Sequence, residues 1–137
     1  MPEQTEGPAP LGLLLSDDLL FTSRITGTAH ALGLEVKAAP SAEAVIALAR
    51  QRRPSAILID LGNPGLVLAD LLRQLAVVCT PTPRVVAYGS HVDTATLRAA
   101  REAGCEPVLP RSKFVEELLH ALPEWLGAVG QSPQAGA

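Results

Sequence analysis

Three carboxylates stand where apolar runs end. Ala56-Ile57-Leu58-Ile59 leads into Asp60, and Leu11-Gly12-Leu13-Leu14-Leu15-Ser16 leads into Asp17 and Asp18. A short unbroken apolar run reads as a strand buried on both faces, as in a parallel sheet under helices. Asp60 then sits at the carboxyl end of a strand, where open α/β sheets bind ligands. If the two strands are neighbours, all three acids meet above one edge of the sheet. Clustered carboxylates repel unless a cation or protons intervene, and hard oxygen ligands suit Mg²⁺. A metal-bound aspartate can also act as a nucleophile toward a phosphoryl group. The plainer readings are that Asp60 caps the Gly62-Asn63-Pro64-Gly65 turn and that Asp17 or Asp18 N-caps a helix. The latter accounts for one of the pair and not for both.

The elements that must position these acids follow from the pattern of the chain. After the strand at 11–15, Phe21, Ile25, Ala29 and Leu32 fall at helical spacing, with Gly33 as C-cap. Residues 34–38 alternate apolar with polar, as a sheet-edge strand does. Ser41 can cap a second helix, with Glu43 in its first turn, that buries Val45, Leu48 and Ala49. The strand to Asp60 follows, then a helix carrying Leu68, Leu71, Leu72 and Leu75 on one face. Val85-Val86-Ala87-Tyr88 is a fourth buried strand. Asp93 or Thr94 caps a helix through Leu97 and Ala100 to Gly104. Pro107-Val108-Leu109-Pro110 is a short fifth strand whose prolines suit a sheet edge. Ser112 caps a last helix burying Phe114, Leu118 and Leu122, which Pro123 ends or kinks. Five strand–helix repeats argue a parallel sheet with helices on both faces.

Composition narrows the function. The chain has 137 residues, 47% of them apolar, which suits one domain with a real core. Residues 1–10 and 128–137 read as a disordered lead and tail around a domain at 11–127. A net charge of −3 gives no basic surface for nucleic acid. No apolar run is long enough to cross a bilayer, no signal peptide opens the chain, and Cys79 and Cys105 lack metal-ligand spacing. A reducing cytoplasm is the simplest home. Without a Gly-x-Gly-x-x-Gly or P-loop motif, nucleotide binding has no support. Ser16, Ser23 and Ser90 lack the elbow of a serine hydrolase. His30, His91 and His120 read as surface residues.

From Leu11 to Leu122 the chain resembles the receiver domain of bacterial two-component response regulators. The acidic pair of that family matches Asp17-Asp18. Its phosphoacceptor motif matches Asp60-Leu61 with Pro64-Gly65, and its Ala-Gly before the last strand matches Ala103-Gly104. The resemblance implies a flavodoxin-like (βα)5 three-layer sandwich with a parallel five-stranded sheet in order 2-1-3-4-5. It implies a phosphoryl group accepted on Asp60, and Mg²⁺ on Asp18, Asp60 and the carbonyl of Gly62, with Asp17 contacting the metal through water.

Three positions depart from the family. Gly89, followed by Ser90, stands where receivers carry Thr or Ser. Arg111, followed by Ser112 and then Lys113, stands where they carry Lys. Val108 replaces the usual aromatic switch residue. Arg is a planar fork rather than a compact ammonium, so that exchange is not conservative. In an active receiver Ser90 and Arg111 would stand in as contacts to the phosphoryl oxygens. The resemblance also implies a histidine kinase or phosphotransfer protein as donor and a downstream protein target. It implies a partner or homodimer surface including Leu97, Arg101, Val108 and Lys113. Two further readings are a phosphorylation-independent pseudo-receiver acting as an interaction module, favoured by Gly89, Val108 and Arg111, and a small phosphatase using Asp60. The last lacks a second acid two residues on, where Gly62 stands.

Overall fold

The computed structural model describes residues 9–127. The expected tail and residues 1–8 of the expected lead lie outside them. Of the rest of that lead, the Ala9 carbonyl accepts a hydrogen bond from Arg52 Nη2 at 2.8 Å.

Ten elements alternate: β1 (Leu11–Leu15), α1 (Leu19–Ala31), β2 (Glu35–Ala39), α2 (Ala42–Gln51), β3 (Ala56–Asp60), α3 (Leu68–Val78), β4 (Arg84–Gly89), α4 (Thr94–Glu102), β5 (Val108–Pro110) and α5 (Arg111–Trp125). The strands form one parallel sheet in the order β2-β1-β3-β4-β5. That is the expected order, with the acid-bearing strands β1 and β3 adjacent at its centre. Every residue of β1 and β3 is buried, which is why their sequences run apolar without alternation. At the edges, β2 carries Glu35 and Lys37 and β5 carries Pro110.

Side chains on successive strand positions serve opposite layers. Leu13, Leu15, Ile57, Ile59, Val85 and Ala87 pack with Val45, Ile46, Leu71, Leu75, Leu97 and Ala100 of α2, α3 and α4. Leu14, Leu58, Val86 and Tyr88 pack on the other face with Ile25 of α1 and Leu118 of α5. The chain's four aromatic residues all lie in this second layer: Phe21–Tyr88, Tyr88–Phe114 and Phe114–Trp125 ring centroids are 5.1, 4.4 and 5.4 Å apart. Asp60 has the same parity as Leu58, so its side chain rises beside α1 and α5. Gly12 permits a close approach here, since a Cβ on it would meet Val36 Cγ2 at 3.2 Å and Leu126 Cδ1 at 3.3 Å.

Several local expectations change. In α2 it is Ile46 that is fully buried and Leu48 that is partly exposed. Apolar residues at 45, 46, 48 and 49 compete for one helical face, and the sheet takes 45, 46 and 49. Ser112 does not cap α5. The helix starts at Arg111, with Pro110 at the cap position at φ −59° and no side-chain cap, because the proline ring already fixes the entry angle. Pro123 neither ends nor breaks α5, which continues to Trp125. A proline cannot donate to the carbonyl four residues back, and that residue, Leu119, lies on the exposed side of the helix. The stacking of Trp125 on Phe114 anchors the last turn. Among the described residues, no helix is long and apolar enough to cross a membrane.

Candidate functional site

The ends of β1 and β3 meet the start of α5. Asp60 is 4% exposed, and its oxygens are divided between partners. Oδ1 accepts the Gly62 N–H at 2.9 Å. Oδ2 accepts the Ser16 hydroxyl at 2.8 Å and faces Arg111 Nη2 at 3.6 Å. A buried carboxylate needs such donors, because an unpaired buried charge is costly.

Asp18 is the N-cap of α1: its Oδ1 accepts the Phe21 N–H at 3.1 Å. Its Oδ2 faces Arg111 Nη1 at 3.4 Å. One guanidinium therefore bridges Asp18 and Asp60. It lies over the Phe21 ring, with Cζ 4.5 Å from the centroid, and is 5.9 Å from the Tyr88 centroid. Arginine can do both at once because its fork is planar and weakly hydrated.

Asp17 is exposed. Its contribution is through the main chain, where its N–H donates to Asn63 Oδ1 at 2.8 Å. The expected meeting of three carboxylates is therefore corrected to a pair: among the described residues, no group of three metal-ligating side chains converges. Alternation at the end of β1 explains this, since Ser16 turns in to Asp60 and Asp17 turns out. Asn63 is buried and ties the turn together, with Nδ2 donating to the Pro40 carbonyl at 3.0 Å. Ser16, Asn63 and the ring of Phe21 were not singled out from the sequence. Ser16 and Asn63 find their partners 44 and 46 positions away and Phe21 stacks under the more distant Arg111, and only the polar Ser16 at the end of an apolar run hinted at a role.

On the other side of Asp60, Leu61, Gly62, Gly89, Ser90, Asp93, Thr96 and Leu97 line a cleft of about 70 Å³. That is too small for a nucleotide-sized ligand. Ser90 is exposed, and its Oγ accepts the Val92 N–H at 3.4 Å. Gly89 is buried under Leu61 and Leu97. His30, His91 and His120 are exposed. Tyr88, paired in register with Asp60 across β3 and β4, is wholly buried, and its hydroxyl makes no hydrogen bond. Burial pushes its phenol well above the usual value. The nearby Asp60 charge adds to that rise, while the Arg111 charge opposes it. Burial likewise raises the Cys79 and Cys105 thiols.

The four residues expected on a partner surface separate. Leu97 and Val108 are each 5% exposed and belong to the core under α4, because they are the apolar positions that α4 and β5 turn to the sheet. Arg101 and Lys113 are exposed. Arg101 Nη2 donates to the Val108 carbonyl at 3.3 Å, and Lys113 Nζ lies 3.5 Å from both Glu116 and Glu117.

Whether Mg²⁺ suits this site can be judged from the donor set. Asp18 and Asp60 each turn one oxygen toward the same positively charged group. Two hard carboxylate oxygens sharing one cation are the chemistry that Mg²⁺ uses. The pair fits the ion; Asp17 is the weaker member.

No family model matches the chain. Over 107 residues the chain is 30% identical to a response regulator receiver protein of Anaeromyxobacter sp. (strain Fw109-5). That alignment covers 78% of this chain and 44% of the other, so the chain spans less than half the length of that relative. Among solved structures it is similar to a CheY-like response regulator receiver domain protein from Methanospirillum hungatei JF-1, with TM-score 0.73 and 18% identity over 87% of this chain and 94% of that one. It is similar to the receiver domain of NtrX from Brucella abortus, with TM-score 0.73 and 20% identity over 88% and 99%. A chemotaxis response regulator of Vibrio cholerae gives TM-score 0.72 and 17% identity over 87% and 100%. At these identities the likeness is one of fold.

Proposed function

We propose that this chain, a response-regulator receiver domain by its fold, accepts a phosphoryl group on Asp60 and signals through protein contacts. The observation that carries the reading is Asp60 itself. It is a buried carboxylate at the carboxyl end of a central strand, with a backbone N–H on one oxygen and a guanidinium facing the other.

In the transfer, an Asp60 oxygen bonds to the phosphorus of a phosphohistidine while the phosphorus–nitrogen bond breaks. The imidazole leaves with that electron pair and takes up a proton from solvent. The donor is a histidine kinase or a phosphotransfer protein, and the receiving partner is a downstream protein. Asp18, Asp60 and the Gly62 carbonyl would hold Mg²⁺. The bound ion supplies charge against the phosphoryl oxygens. Gly62 N–H and Ser16 Oγ hold the Asp60 carboxylate in one orientation. Arg111, which faces Asp60 Oδ2, would meet the phosphoryl oxygens, and Ser90 would add a second contact from the β4–α4 loop. The domain comprises residues 11–127 and works in the cytoplasm. Its partner or dimer face is presented by the exposed Arg101 and Lys113 over the buried Leu97 and Val108. The experiment that tests the reading is phosphoryl transfer from a small phosphodonor, read by mass, with Asp60→Asn as control.

A further inference from the structure

We infer that Arg111 is the internal counter-cation of the acidic pocket. Its guanidinium bridges Asp18 and Asp60 in the place a divalent ion would take, so that ion and guanidinium exclude each other. The inference rests on the reading that Mg²⁺ binds at Asp18 and Asp60.

Every oxygen of the two carboxylates has a protein donor. Asp18 Oδ1 takes the Phe21 N–H, and Asp60 Oδ1 takes the Gly62 N–H. Asp60 Oδ2 takes the Ser16 hydroxyl. The two remaining directions, at Asp18 Oδ2 and Asp60 Oδ2, both point to Arg111, through different nitrogens of one fork. The pocket is thus satisfied without an ion. The repulsion between the two acids, which otherwise favours metal uptake, is already relieved. Phe21 holds the fork in place by offering its ring face 4.5 Å below Cζ. A lysine could neither bridge two carboxylates with separate nitrogens nor lie flat on that ring.

Mg²⁺ must therefore displace Arg111 from Asp18, and its apparent affinity is lowered by the fraction of molecules in which the bridge is closed. The coupling is reciprocal: whatever opens the bridge tightens the metal by the same factor.

The test is a Mg²⁺ titration of the full chain, followed by the Gly62 and Phe21 backbone amides and by the Arg111 Nε–H resonance. The wild type binds weakly, and its Arg111 resonance moves in step with the amides. Arg111→Ala binds roughly tenfold tighter, in the range typical of coupled sites. Arg111→Lys falls between the two. Phe21→Leu keeps an apolar side chain but removes the ring, and tightens Mg²⁺ by roughly threefold, the scale of an exposed cation–π contact. Lys113→Ala removes the same charge two residues away, from a side chain paired with Glu116 and Glu117, and leaves the affinity unchanged.

Equal affinity in wild type and Arg111→Ala, or equal tightening by Lys113→Ala, overturns the inference while leaving the metal site standing. No binding by any variant overturns the metal reading and the inference with it.

Discussion

Ser16 and Asp60 are joined by a buried hydrogen bond of 2.8 Å that spans 44 positions of sequence and ties the end of β1 to the end of β3. The same hydroxyl oxygen accepts the Asp18 N–H at 3.2 Å. One small side chain therefore orients the buried Asp60 carboxylate and the helix-capping Asp18 together. Hydrogen bonds to charged groups are worth more than neutral ones, and losing one leaves a buried carboxylate short of a donor. Ser16→Ala should cost about 1.5–3 kcal/mol of stability, measured by denaturant unfolding, and Ser16→Thr should recover part of it.

Tyr88 makes a second prediction, with a clean probe because it is the only tyrosine in the chain. Burial and the Asp60 charge raise its phenol far above the ordinary value near 10. Above that value the unfolded chain loses the phenolic proton while the folded chain keeps it. The unfolded state then binds fewer protons, and stability falls as pH rises. The contribution is intact below pH 10. It should erode by about 1 kcal/mol between pH 10 and pH 11, beyond any loss shared with Tyr88→Phe. At neutral pH that variant should be neutral or slightly stabilising, since the hydroxyl it removes has no hydrogen-bond partner. Tyrosinate absorbance rising near pH 10 in the folded protein would contradict this.

A third prediction concerns Gly89 and how far the proposed phosphoryl signal at Asp60 should travel. Gly89 offers no hydroxyl to move toward the phosphoryl group, and Val108 offers no ring to swing. A ligand shifts an equilibrium only by its differential contacts with the two states. With phosphodonor, wild-type amide shifts should concentrate near Asp17, Asp60, Ser90 and Arg111 and change little along α4. A Cβ at Gly89 would meet Leu61 Cβ and Leu97 Cδ2 at 3.4 Å. Gly89→Ser should therefore fold with stability within about 1 kcal/mol of wild type, and its shifts should extend into α4 through Leu97. Widespread α4 shifts in the wild type would remove the local-response account.

The sheet was legible because its central strands are buried on both faces and so appear as unbroken apolar runs. Asp60 and the acidic pair were legible as site residues because they follow apolar runs, whereas Arg111 was reached only through the resemblance, as the residue standing where receivers carry Lys. What could not be read was side-chain direction where the periodicity gives way. Periodicity does not separate Asp17 from Asp18; the resemblance ranked them, and the N-cap of α1 and the inward turn of Ser16 give the physical reason. Leu97 and Val108 were assigned to a surface by resemblance, although their own apolar character assigns them to the core. Ser112 looked like a cap because the effect of Pro110 on the start of α5 is a matter of backbone angle. The Arg111–Phe21 stack joins residues 90 positions apart, and no local pattern carries it.

The most direct measurement is the intact mass of the protein after incubation with Mg²⁺ and a small phosphodonor, with the adduct then located by peptide mapping. The account predicts a single phosphoryl group on the peptide containing Asp60, slow to form, and absent from Asp60→Asn. No adduct on the wild type, or an equal adduct on Asp60→Asn, would contradict it and leave a phosphorylation-independent interaction module in its place.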